Sequence, residues 1–192
     1  MCVTIFFDDF NGAGPGFTGP VYDSWSIGGT PVDAGHWGLF YPDMDPVPNL
    51  TPGSGRYVGV HSESAEFIDS LVWLISPLID ARKYRKLVLT ADVYFKSSGA
   101  GLGEDTVKIF ALQVGKAPQM VGVIGDTMSA ADPPISQNLS WNIPSSQCGF
   151  VQIAFTWYSS MGHPAYDSIQ LDNIRLTGCR SWICWLFSFL RS

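Results

Sequence analysis

The sequence predicts an all-β fold: an antiparallel β-sandwich of jelly-roll type, with long N-terminal loops and a short apolar C-terminal tail. Three observations predict it. The 192 residues include 20 glycines and 13 prolines, well above the combined share of about 12% usual in globular chains, so turns are frequent and long helices scarce. Segments of strand length with period-two alternation recur between turn signals. No convincing amphipathic helix separates them, and only Asp80 to Lys86 resembles a helical turn. With 46% apolar and 15% charged residues, the chain can bury a core and is far from the composition of a disordered protein.

The elements follow in order. Cys2-Val3-Thr4-Ile5-Phe6-Phe7 reads as a first strand that runs into Asp8-Asp9. Asn11 to Tyr57 is rich in Gly, Pro, Asp and aromatic residues and reads as long loops with short strands between. Arg56 to His61 alternates in the strand period, and Phe67 to Ile75 is an apolar β run stopped by Ser76-Pro77. In Leu87 to Phe95, the side chains of Leu87, Leu89, Ala91, Val93 and Phe95 share one face, the signature of a half-buried strand. The glycine-rich turn 97–103 joins it in a hairpin to Thr106–Val114. Further strands are expected at Gln119 to Ile124, Leu139 to Ile143, Gly149 to Tyr158 and Ser168 to Leu176. One sandwich domain, 1–177, is followed by the tail, 178–192, read as a partner-docking or anchoring segment.

A net charge of −6 excludes a nucleic-acid surface, which needs Lys and Arg to displace phosphate counterions. The charge is uneven: residues 1 to 80 hold ten Asp or Glu and a single base, Arg56, while Arg82, Lys83, Arg85 and Lys86 cluster. The start shows no export signal, so the four cysteines are read as reduced thiols. Cys2 and Cys179 flank the first and last strands, and a bridge is possible if those strands pair in an oxidising setting. The spacing from Cys179 to Cys184 fits no zinc pair.

The tail holds Trp182, Trp185, Phe187, Phe189 and Leu190 in a nearly unbroken apolar run. That run is about half of the roughly 20 residues needed to span a bilayer. Such a patch must be covered: by its own domain, by a partner subunit's groove, or by a membrane interface. Of the last two, the partner groove is preferred.

The segments Phe7-Asp8-Asp9-Phe10, Leu74-Ile75-Ser76-Pro77-Leu78-Ile79-Asp80, Leu87 to Phe95, Glu104-Asp105-Thr106-Val107, Val151-Gln152-Ile153-Ala154-Phe155 and Ile169-Gln170-Leu171-Asp172-Asn173-Ile174 resemble the MAM-like and cleaved-adhesin jelly rolls, relatives in shape of many carbohydrate-binding modules. The resemblance spans most of residues 5 to 177. It implies terminal strands side by side, with an acid near the start and one near the end holding a structural Ca2+. Asp9 and Asp172 match that pattern. The insertion between Asn11 and Tyr57, the apolar tail and the missing export signal depart from it.

Sugars stack on aromatic rings while carboxylates and amides take their hydroxyls. Trp25, Trp37, Phe40, Tyr41 and Tyr57 fall in the loop-rich part, with Trp141 and Trp157 further on, and half or more of these are expected in the core. Trp37 and Tyr41, set among Gly and Pro, are expected to be exposed and to bind ligand. No catalytic motif is present: His36, His61 and His163 are widely separated, and neither a Gly-x-Ser-x-Gly elbow nor a His-Glu-x-x-His helix occurs. Asn49-Leu50-Thr51 and Asn138-Leu139-Ser140 read as chance glycosylation sequons. The sequence is read as a non-enzymatic structural or attachment subunit of a larger assembly, a virion surface, decoration or appendage protein with other protein subunits as partners, cytoplasmic before assembly. The alternatives are a carbohydrate- or cell-surface-binding module and a glycan hydrolase.

Overall fold

The computed structural model describes residues 1–11, 21–22, 25–30, 37–40, 49–61, 70–97, 105–129, 131–144, 149–159 and 168–180. The strands are β1 (Cys2–Asp8), β2 (Val21–Tyr22), β3 (Trp25–Thr30), β4 (Gly38–Phe40), β5 (Tyr57–His61), β6 (Ser70–Ile75), β7 (Ile79–Asp80), β8 (Tyr84–Phe95), β9 (Asp105–Gln113), β10 (Gln119–Ile124), β11 (Ile135–Pro144), β12 (Phe150–Ser159) and β13 (Ser168–Arg180). There is no helix among the described residues.

The strands form two antiparallel sheets. Sheet A runs β11-β8-β13-β5-β4, with β1 also paired to β13. Sheet B runs β10-β9-β12-β6-β3-β2, with β7 also paired to β12. Alternation decides which side chains enter between them. Leu87, Leu89, Ala91, Val93 and Phe95 of β8 share one buried cluster with Val107, Ile109 and Ala111 of β9 and with Val151, Ile153, Phe155 and Trp157 of β12. The fold class expected from the periodicity is the one observed.

Three local expectations are corrected. β8 and β9 do not form a hairpin: β8 lies between β11 and β13 in sheet A, and β9 between β10 and β12 in sheet B, so the connection crosses from one sheet to the other. The segment Asp80 to Lys86 is not a helical turn. Ile79 is buried and pairs with Val151, Asp80 pairs with Phe150, and a tight turn closed by Tyr84 N–H to Ala81 O (3.0 Å) leads into β8. Burial of Ile79 and completion of the ladder outweigh the local helical pattern. The boundary drawn at 177 falls inside β13, which keeps its pairing with β8 through Arg180.

The cysteine reading also changes. β1 pairs with β13 in a register that puts Cys2 opposite Cys179, and the two form a disulfide. The bridge closes a sequence separation of 177 residues, so it constrains almost the whole unfolded chain. Cys148 and Cys184 lie outside the described residues.

Replacing both partners, Cys2→Ser with Cys179→Ser, is expected to lower the unfolding free energy by about 2–4 kcal/mol. Urea titration reads this as a lower midpoint. A midpoint identical to that of the native chain would contradict the pairing.

Candidate functional site

β13 has β8 along one edge for its whole length, but its other edge is shared. Residues 168–171 pair with β5, and residues 174–179 pair with β1. The partner changes at Asp172-Asn173. There the ladder with β8 shifts register, and Asn173 takes a positive φ of 48°, the left-handed conformation that Asn tolerates better than most residues. Asp172 faces Asp92 of β8 across the ladder. The chain leaves β1 at this gap and returns into β5 beside it. Asn11 and Arg56 tie the two crossings together: the Arg56 N–H donates to Asn11 Oδ1 (3.0 Å) and its guanidinium to Asn11 O (3.3 Å).

A polar network fills the gap. Asn49 Nδ2 donates to Asp172 Oδ2 (3.2 Å) and to Gly55 O (3.2 Å), while Asn49 Oδ1 accepts from the Thr51 N–H (3.0 Å) and hydroxyl (2.7 Å). The Asn173 N–H donates to Asp172 Oδ1 (2.7 Å), and Asn173 Nδ2 to Asp92 Oδ2 (2.8 Å). Asn138 Nδ2 donates to Asp92 Oδ1 (2.8 Å). Both sequon asparagines are therefore used as amide donors to carboxylates. Gly53 lies so close to Asp172 and Asn173 that a Cβ there would strike both side chains. Asp172 is fully buried beneath this cover. Burial pushes its carboxyl up to about 6; the Asn173 and Asn49 hydrogen bonds oppose the rise, and the Asp92 and Asp9 charges add to it.

Asp9 is half-buried and accepts from the Asn11 N–H (3.2 Å). Its neighbour Asp8 has a structural task, accepting from the Phe10 N–H (2.8 Å) and from Trp25 Nε1 (2.8 Å). Among the described residues no three His, Cys, Asp or Glu side chains converge as a metal cluster. A cation at Asp172 and Asp9 would have to complete its shell from amide and carbonyl oxygens, donors that Ca2+ accepts.

The aromatic expectations divide. Trp37, expected at the surface, is fully buried, its Nε1 donating to Val72 O (3.4 Å). The Gly and Pro residues near it in the sequence supply no strand period, but the ring fills the core beside β6. Tyr41 and the tail residues Trp182, Trp185, Phe187, Phe189 and Leu190 lie outside the described residues. Trp25, Tyr57 and Trp157 are buried, and Trp141 is half-buried against the core.

Half-exposed rings occur instead on the outer face of sheet B. Trp73 of β6 is half-buried, and its indole spreads across Gly28 of β3: a Cβ at Gly28 would meet Cε2 and Cζ2 at 2.7 Å and Nε1 at 2.8 Å. Trp73 pairs with Thr156 of β12, which puts Tyr158 on the diagonal of the same face, within reach of an aromatic side chain. Phe110 of β9 lies on the same face, opposite Ala154 of β12. Tyr158 and Phe110 are also half-buried, and Leu71 and Met120, 38% and 54% exposed, flank them. A readable signal was present. Leu71-Val72-Trp73-Leu74-Ile75 is apolar at every position, and a strand with one wet face alternates.

No protein-family model matches the chain, and no curated protein matches it. Solved structures do. The K1 cleaved adhesin domain of Lys-gingipain from Porphyromonas gingivalis W83 superposes with a TM-score of 0.57 at 17% identity, covering 91% of this chain and 97% of that one. A cyclase from Fischerella sp. TAU gives 0.55 at 14% identity over 94% and 99%. The fold is similar to that of a cleaved-adhesin domain. A structure from the β-sandwich superfamily of carbohydrate-binding modules gives 0.51 at 12% identity, covering 80% of this jelly roll and 56% of the other chain.

The Asp172 carboxyl sets a pH dependence. Its folded value, near 6, lies above the ordinary 3.8, so the unfolded chain releases this proton first as pH rises. The group's contribution to stability is greatest below about pH 4 and is lost between pH 4 and 6. Urea titrations at pH 4.5 and 7 are expected to show this loss in the native chain and a smaller one in Asp172→Asn. An equal loss in both chains would contradict it.

Proposed function

We propose that this protein is a noncatalytic glycan-binding module of an adhesive or cell-surface-binding system, and that the outer face of sheet B takes the sugar. The half-exposed rings of Trp73, Tyr158 and Phe110, on three adjacent strands of this face, carry the reading. The rings can stack on pyranose faces, and Thr156 and Lys108 stand in the cross-strand row of Trp73 to meet hydroxyls. The cleaved-adhesin and carbohydrate-binding-module relatives support this reading by their shape. The expectation of a virion subunit draws no support from them. The Cys2–Cys179 bridge supports an oxidising, extracellular place of work.

The test is titration calorimetry with a panel of linear hexasaccharides, xylohexaose and cellohexaose among them. The native chain is expected to bind at least one. Trp73→Ala is expected to weaken that binding about tenfold or more, a change of about 1.4 kcal/mol, with little change in melting temperature. Full retention of affinity in a folded Trp73→Ala variant would move the site elsewhere.

A structural Ca2+ held by Asp172 and Asp9 belongs to the same proposal. The ion would offset the mutual repulsion of Asp9, Asp92 and Asp172. Saturating Ca2+ is expected to raise the melting midpoint of the native chain and to leave Asp172→Asn unmoved. The same midpoint in Ca2+ and in chelator would dismiss the ion.

A further inference from the structure

The bases of this acidic chain are not scattered. Lys86 of β8 pairs with Cys179 of β13 and with Pro144 of β11, and Arg180 pairs with Tyr84. Asp80 pairs with Phe150 where β12 begins, and the next residue, Val151, pairs with Gln113 where β9 ends. Gln113 Nε2 donates to Pro144 O (3.1 Å), which holds the β9–β10 turn containing Lys116 against the end of β11. All these positions lie at one end of the sandwich. That end therefore gathers Arg82, Lys83, Arg85, Lys86, Lys116 and Arg180, six of the chain's eleven Lys and Arg, and each is exposed. Asp80 is the one acid there among the described residues. It is held by Arg82 (2.7 Å), whose guanidinium also lies 4.7 Å over the Phe150 ring.

Apolar tips stand among these charges. Val114 in the β9–β10 turn is 78% exposed, and Leu78, before β7, is 54% exposed. β13 delivers the chain at Arg180 to the same end, and the sequence that follows is Ser181-Trp182-Ile183-Cys184-Trp185-Leu186-Phe187. Cations and exposed apolar tips therefore share one pole of a molecule whose net charge is −6. Clustered Lys and Arg favour anionic headgroups.

We propose that this basic end docks on an anionic lipid bilayer surface, with Lys83, Arg85, Lys86 and Arg180 meeting the headgroups while Val114 and Leu78 enter the interface. A membrane is favoured over a soluble polyanion because a polyanion has no use for the apolar tips. The site lies at the end of the strands, away from the face assigned to sugar, so both can be engaged together.

The test is co-sedimentation of the full chain with vesicles of pure phosphatidylcholine and with vesicles containing phosphatidylserine, neither carrying glycan. Binding to the anionic vesicles is expected to be at least tenfold tighter and to weaken as salt rises. The triple variant K83E/R85E/K86E is expected to lose that preference and to keep its circular dichroism spectrum. Trp73→Ala is expected to sediment like the native chain, which separates this site from the sugar face. Equal partition onto both vesicle types, no sedimentation with either, or undiminished anionic binding by the folded triple variant would overturn the proposal. So would binding of soluble heparin by a chain that ignores the vesicles.

Discussion

The divided edge of β13 is the constraint on which the architecture rests. A strand of thirteen residues needs partners along both edges, or its backbone polar groups stay exposed. β8 serves one edge throughout. The other needs two separate segments, β5 and β1, from opposite ends of a long excursion. Two strands meeting end to end on one neighbour leave a gap, and the chain fills it with carboxylates and amides. Asp172 and Asp92, Asn49, Asn138 and Asn173 satisfy one another there, around a fully buried Asp172. A buried unsatisfied carboxylate would cost several kcal/mol. The disulfide at Cys2–Cys179 secures the far end of the same pairing.

This arrangement separates three chemistries in space. The polar junction lies on sheet A. The half-exposed rings lie on the outer face of sheet B. The cations gather at the end of the strands where β8 begins and β13 finishes. Strand alternation gives each sheet an inner and an outer face, and antiparallel pairing brings Lys86, Pro144 and Cys179 into one cross-strand row although they are distant in sequence.

The sandwich was legible in the sequence because its signal is local. The run from Leu87 to Phe95 states its own burial at every second position, and β9, β10 and β12 form close to where their patterns placed them. The site was less legible because it depends on register. Asp172 was singled out, but nothing local shows that Asn49 and Asn173 would bind its two oxygens. Trp37 was misplaced for the opposite reason: glycines and prolines around it suggested exposure, while the packing beside Val72 is a long-range property. Trp73 was not among the rings weighed for binding, only part of the apolar run from Phe67 to Ile75. The missing clue was that Leu71, Trp73 and Ile75 make the second face of β6 as apolar as the first, which a solvated strand has no reason to do.

The most direct measurement follows the tryptophan indole N–H signals by nuclear magnetic resonance while an oligosaccharide that binds is titrated in. Sugar held on sheet B must shift the Trp73 signal progressively to saturation and leave those of Trp25 and Trp37 in place, because both rings are sealed in the core. A saturable titration that leaves Trp73 unmoved would place the sugar elsewhere and contradict the assignment of this face.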